Sequence, residues 1–387
     1  MAVQAFLKLP QRVYLGENLL GKIGEFLATK ENKRVMVFTD PGLVKAGLVK
    51  PLEDYLNESE IDYKVETDLK PEPSYTEVDE LLNKVSKFDF DTIIAIGGGS
   101  VMDAAKLVSL LKGTNNSVKS LINDASTATK QCSTIFIPTT AGTGSESTIN
   151  AIVLIPEKQV KFGIVSDAML PDLVLLDVDN VRNLPKPILA SSAMDALSHC
   201  VECYTAKNAT VMSDGVASMG AKLIFRNIVR AYQNSDDVEA REALQLGAFY
   251  GGVAITASGT NIVHALSYPL GGKFHIAHGV SNAILFKAGM EMNKDAIKGR
   301  LASLCDIVWP EEGNKSIDEK ADFVIDKIAE IVRDVEIPTD LKKFGVKNSD
   351  LDFLVDSALE QKRLLSHNMK KLTREDVVKV YKSVMSD

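Results

Sequence analysis

Cysteine and histidine are scarce in this chain. Its 387 residues include four cysteines (Cys132, Cys200, Cys203 and Cys305) and five histidines. Four cysteines in so long a chain make no disulfide framework, which fits a reducing cytoplasm. Cys200 and Cys203 form a C-x-x-C, but no second close pair completes a zinc or redox motif, so buried apolar cysteine is the plainer reading. No apolar run is long enough to span a bilayer. The start, "MAVQAFLKLPQRVYLGENLL", lacks the basic stretch and apolar core of a signal peptide. Basic residues are not in excess either: the formal net charge is -8. That argues against nucleic acid or an anionic membrane surface as main partner, while leaving room for a locally basic pocket. No internal repeat or low-complexity tract is present.

What is present is an ordinary globular composition, 45% hydrophobic and 25% charged, at a length comfortable for two domains. The halves differ in texture. Up to about residue 185, the runs 33–40, 91–100, 133–140 and 172–179 read as strands, and helical stretches such as "VDELLNKVSKF" and "VMDAAKLVSLLKG" lie among them. Such alternation predicts a parallel sheet flanked by helices. Beyond "NLPKPILASS" the patterns are helical almost throughout. The expected architecture is therefore an α/β, Rossmann-like domain over residues 1–185 and an all-α domain over residues 186–387.

Two loops in the first half suit a dinucleotide. "DTIIAIGGGSVMDAAK" runs from strand through Gly97, Gly98, Gly99 and Ser100 into helix. A glycine turn lets the backbone approach a phosphate, and the helix N-terminus behind it adds N–H groups and partial positive charge. The spacing is not G-x-G-x-x-G, and a tight turn without a ligand is the alternative. "IPTTAGTGSESTIN" packs Thr139, Thr140 and Thr143 among small residues at the end of another strand. It reads either as a solvated loop or as hydroxyls and N–H groups for a pyrophosphate or ribose. Asp40 ends the strand "RVMVFTD", as an acceptor for ribose hydroxyls or as a turn cap before Pro41-Gly42.

The second half holds the histidines. In "SSAMDALSHCVECYT", Asp195 and His199 lie four apart, on one helical face. His264 ends an apolar helix that the sequence breaks at residues 269–272, and His278 begins the next. A helix, a break and a helix can bring both to Asp195 and His199. One carboxylate and three imidazoles suit a borderline divalent ion such as Fe²⁺ or Zn²⁺. Taken singly, a histidine on an apolar helix is more often a hydrogen-bonded core residue.

With these segments in order, the chain resembles the iron-containing (group III) alcohol dehydrogenases over essentially its whole length. "GGGSVMDAAK", "PTTAGTGSE", "SAMDALSHCVE" and "HALSYPLGGKFHIAHGVSNAI" carry the likeness. The resemblance implies a dinucleotide-binding domain, a helical metal domain and an active site in the cleft between them. It assigns Asp195, His199, His264 and His278 to the metal, Fe²⁺ with Zn²⁺ or Mn²⁺ as alternatives. It assigns Gly97 to Ser100, Asp103, Thr139, Thr140, Thr143, Asn150 and Lys161 to the cofactor, and an acid at Asp40 goes with NAD(H). Many members have a second histidine four residues after the one matching His264. Here that position is Tyr268, so a proton relay would run through Tyr268, His275 or water. His275 is otherwise a polar cleft residue, and His367 receives no role.

The implied chemistry is hydride transfer between nicotinamide and a small primary alcohol or aldehyde, with the ion as Lewis acid. Lys273, His275, Arg363 and Lys370 leave an anionic aldehyde open. A homodimer or higher homo-oligomer is expected. The competing readings are a metal-dependent lyase of the dehydroquinate synthase type, whose basic phosphate-binding constellation is not evident here, and a nucleotide-binding protein without catalysis.

Overall fold

A computed structural model describes residues 5–30, 33–158 and 160–385; the outermost ends of both expected domains lie outside these. The described chain packs as two compact units. One comprises Leu9–Thr140 and Gly144–Leu184. The other begins at Pro185 and also takes in Ala141–Thr143 and the described residues before Leu9. Those short pieces depart from a single cut near residue 185. Gly142 gives the physical reason: a Cβ there would lie 2.7 Å from Ser192 Cβ, so the loop is held tightly on the Lys186–Tyr204 helix.

The first unit has eight strands: β1 (Arg12–Gly16), β2 (Arg34–Phe38), β3 (Asp62–Glu66), β4 (Thr92–Gly97), β5 (Ser133–Pro138), β6 (Asn150–Ile155), β7 (Val160–Val165) and β8 (Leu173–Asp177). Six form one parallel sheet in the order β1-β8-β5-β4-β2-β3. Its four interior strands are the four the sequence predicts. Strands covered on both faces read as continuous apolar runs. In β4, Ile93 and Ala95 join one buried cluster, while Ile94 and Ile96 join another. The edges β1 ("RVYLG") and β3 ("DYKVE") carry charges and exposed positions, which hides them from an apolar pattern. β6 and β7 form a separate antiparallel hairpin after the threonine loop, also unanticipated. The strand order turns back between β2 and β4, so a crevice is expected outside their carboxyl ends. Asp40 follows one of those ends, and Gly97 closes the other.

In the second unit no strand occurs among the described residues. Its main helices are Lys186–Tyr204, Val211–Gln233, Val238–Ser258, Ile262–Phe274, His278–Val308 and Ile317–Asp334, followed by shorter ones to Ser383. One expectation is corrected. The helix bearing His264 does not break at residues 269–272. It runs through Pro269 to Phe274, and the turn is made at His275, in the left-handed region at φ 55°. Pro269 offers no N–H and crowds the preceding turn. One residue beyond the Ala265 carbonyl that Pro269 leaves without its helical donor, the Leu266 carbonyl accepts the buried Tyr381 hydroxyl at 2.7 Å.

Candidate functional site

Asp195 and His199 sit one turn apart on the Lys186–Tyr204 helix, His264 in the first turn of Ile262–Phe274, and His278 at the start of His278–Val308. The structure brings all four together: one ligand atom from each lies within 4.8 Å of the others. Asp195 Oδ1 is 3.6 Å from His199 Nε2, 3.7 Å from His264 Nε2 and 3.5 Å from His278 Nε2. A tetrahedral ion with bonds of about 2.1 Å needs ligand–ligand edges of about 3.4 Å, so these three edges fit. Gly279 permits the approach. A Cβ there would fall 2.0 Å from the Ser191 carbonyl oxygen, so His278 reaches Asp195 only because its neighbour has no side chain.

The charges of the cluster are coupled. Burial opposes ionisation of Asp195, but His199, His278 and His264 outweigh it and hold the carboxyl far below its usual range. Burial lowers His199 to about 4, so its ring is neutral near pH 7. Burial also pushes His264 down, yet Glu202 and Asp195 reverse this and raise it to about 9.

Two buried residues at this cluster were not singled out in the sequence. Asn282 donates its amide to Asp195 Oδ1 at 2.7 Å and lies 3.2 Å from His264 Nε2 and 3.3 Å from His278 Nε2. Glu202 bonds to His264 Nδ1. The available signal was spacing: Glu202 follows Asp195 by seven, and Asn282 follows His278 by four, on the same faces of otherwise apolar turns.

The expected proton-relay residues diverge. Tyr268 is buried, its ring centroid 5.9 Å from that of His278. His275 is exposed at the left-handed turn and is not among the four clustered residues. His367 hydrogen-bonds the Thr260 carbonyl through Nδ1 at 3.2 Å. Lys273 is paired with Asp350 at 2.8 Å and Lys370 with Asp376 at 3.1 Å. Two of the cations considered for an anionic substrate are therefore already neutralised.

In the sheet unit, Gly97 ends β4 and Gly98 precedes the Gly99–Leu111 helix without a side-chain cap. That helix N-terminus lacks the side-chain acceptor that would otherwise satisfy it, which suits an anion. Thr139 is bonded through its N–H to the Gly97 carbonyl at 3.1 Å, joining the ends of β4 and β5. Thr140 follows directly, whereas Thr143 packs with the helical unit. Ser100 Oγ accepts from the Glu72 N–H at 3.0 Å.

Other expected cofactor residues have partners within the protein. Both oxygens of Asp103 are engaged, by Ser145 Oγ at 2.6 Å and Ile152 N at 2.9 Å, and its side chain lies inside the fold. Lys161 pairs with Glu72 at 2.5 Å. The Asn150 carbonyl accepts from Lys106 Nζ at 2.7 Å. Asp40 caps the short helix Pro41–Lys45, accepting from Gly42 N at 2.8 Å and Leu43 N at 3.1 Å, both through Oδ1.

Behind these loops lies a cluster the sequence reading passed over. Lys106 is wholly buried and also donates to Ser145 Oγ and Thr148 Oγ1, each at 2.8 Å. Burial lowers its ammonium to about 8 despite Asp103 and Glu146, and burial raises Glu146 to about 7.

Comparison with known proteins agrees with the two units. Residues 10–178 match the family described as iron-containing alcohol dehydrogenase, and residues 189–385 match the C-terminal part of the Fe-containing alcohol dehydrogenase family. A long-chain-alcohol dehydrogenase of Geobacillus thermodenitrificans is 35% identical over 358 residues, covering 92% of this chain and 90% of its own. The crystal structure of a 1,3-propanediol oxidoreductase superposes with a TM-score of 0.94 at 27% identity, over 99% of this chain and 100% of its own. That of sulfoacetaldehyde reductase from Bifidobacterium kashiwanohense, in complex with NAD⁺, gives 0.88 at 27% identity over the full length of both. The lyase alternative finds no support among these relatives. With its metal-binding cluster and its parallel nucleotide-type sheet, the chain belongs to the iron-containing alcohol dehydrogenase family and is an oxidoreductase.

Proposed function

We propose that the protein uses NAD(H) to interconvert a small, uncharged primary alcohol and its aldehyde at a divalent-ion site, with Fe²⁺ as the resident ion and Zn²⁺ or Mn²⁺ as substitutes. The observation that carries this is the convergence of Asp195, His199, His264 and His278 on one point. When bound, the ion would supply Lewis acidity toward the substrate oxygen, and the nicotinamide would supply or accept the hydride.

The chain's own residues do the rest. The four ligands hold the ion, and Asn282 steadies the Asp195 carboxylate. The uncapped N-terminus of Gly99–Leu111, with Gly97, Gly98, Thr139 and Thr140, receives the pyrophosphate. Asp40 Oδ1 is occupied as a cap, so Oδ2 is the oxygen we assign to the adenosine ribose; its charge would disfavour a 2′-phosphate. Tyr268, whose ring centroid lies 5.9 Å from that of His278, is our candidate to exchange the substrate proton through its hydroxyl, with exposed His275 returning it to solvent. The pairing of Lys273 and Lys370 with aspartates supports an uncharged substrate. Unbridged, buried cysteines support a reducing cytoplasm. Among the described residues the outer edge of β1 has no strand partner, and with exposed Leu9 and Leu15 it supports a homo-oligomer.

The test is NADH oxidation by metal-analysed protein with a panel of short aldehydes, neutral and sulfonated or carboxylated. Turnover with the neutral members is expected. Preference for the anionic members would overturn the substrate class, and no turnover with any would overturn the reading.

A further inference from the structure

We propose that Glu202 is a positioning residue of the metal centre, holding His264 in the one tautomer whose Nε2 lone pair can face an ion. The inference rests on the metal reading given above.

Glu202 lies on the helix that carries Asp195 and His199, and its side chain has no solvent exposure. It is clamped. Oε1 accepts from Asn261 N at 3.1 Å and Val263 N at 2.7 Å, the backbone donors that open the helix bearing His264. The Asn261 amide donates in turn to the Glu202 carbonyl at 2.9 Å. With Oε1 so engaged, Oε2 is directed at His264 Nδ1.

A carboxylate can only accept, so Nδ1 must carry the proton. In a neutral imidazole the other nitrogen then carries the lone pair, and that nitrogen is the one 3.7 Å from Asp195 Oδ1. The opposite tautomer would point an N–H at the ion. The same carboxylate also ties the start of the His264 helix to the Asp195 helix, so it sets where the ring stands as well as how it is protonated.

A purely structural role, as cap of the Ile262–Phe274 helix, makes a different prediction, and Glu202→Gln separates the two. The Gln carbonyl can still accept from Asn261 N and Val263 N, so the cap survives. Its NH₂ group then faces His264 Nδ1 and favours the wrong tautomer. We expect Co²⁺ affinity of Glu202→Gln to fall about tenfold to a hundredfold, measured by chelator competition. The visible absorption of bound Co²⁺ should shift, while NADH affinity stays within about twofold, the spread expected of an undisturbed site.

Wild-type Co²⁺ affinity and spectrum in Glu202→Gln would overturn the proposal. If the variant does not fold, histidine-selective ¹⁵N NMR of Zn²⁺-loaded wild-type protein decides. A single ligand ring with an exchange-protected Nδ1 proton supports the proposal, and fast exchange at all three rings overturns it. Wild-type protein that holds neither Co²⁺ nor Zn²⁺ would overturn the metal reading itself, a separate result.

Discussion

Each unit of the molecule buries a charged network, and the two are completed differently. In the sheet unit, the Lys106 ammonium has three hydrogens and meets three oxygens, on Ser145, Thr148 and Asn150. Asp103 is likewise filled by protein donors. In the helical unit, partners are shared: Asp195 Oδ1 faces three imidazoles. Four potential ligand atoms converge, and the Asn282 amide nitrogen lies within 3.3 Å of three of them. Depth of burial and perturbed pKa are common to both networks, so neither marks a site for a ligand. Convergence of four potential ligand atoms on one point sets the helical unit apart.

The sharpest way to break this contrast is to remove one convergent ligand. His264→Ala should abolish metal retention and turnover, while leaving NADH binding nearly intact. Metal analysis with fluorescence titration of NADH checks this, and near-normal activity in a metal-analysed sample would refute the four-ligand centre. The matching change in the closed network is Lys106→Met. It should leave the metal in place yet cost about 3–5 kcal/mol of stability, because Asp103 and its oxygens lose a buried counter-charge. Denaturant unfolding beside metal content tests the pair. Equal metal loss in both variants would erase the distinction.

A smaller effect concerns Glu146. Burial raises it to about 7, above its usual value, so its contribution to stability is full in acid and is lost as pH rises through about 7. Glu146→Gln should match the wild type near pH 4.5 and exceed it at pH 8 by up to about 3 kcal/mol. Parallel unfolding curves at the two pH values measure this, and a gain that is the same at both would refute it. The smallest change is Asp40→Ser, which keeps a capping oxygen and removes the charge. NADH preference over NADPH should fall about tenfold, as for one lost charge-assisted hydrogen bond. An unchanged preference would leave Asp40 as a cap alone.

The legibility of the sequence follows the same division between local and assembled features. β2, β4, β5 and β8 were readable because strands covered on both faces are apolar throughout. β1 and β3 were not, because an edge strand needs polar residues. The clustering of Asp195, His199, His264 and His278 was legible from residue type, spacing on helices and the family resemblance. Glu202 sits in the same quoted helix but looked ordinary, since its role exists only once the start of the next helix is brought against it. The continuation through Pro269 was equally illegible, because a proline with Gly271 and Gly272 close behind it reads locally as a break, while the helix is observed to run on to Phe274.

The membership of Ala141–Thr143 in the helical unit bears on how such a gene can be recombined. A fragment starting at Pro185 would lack the glycine that fits against Ser192, and would expose the surface that Gly142 covers. Exchanging the metal-binding half between relatives by a single crossover at residue 185 would seat a foreign 141–143 loop on that helix. A working chimera needs the three residues moved together with the half they serve, a double crossover where the strand–helix pattern alone suggests one.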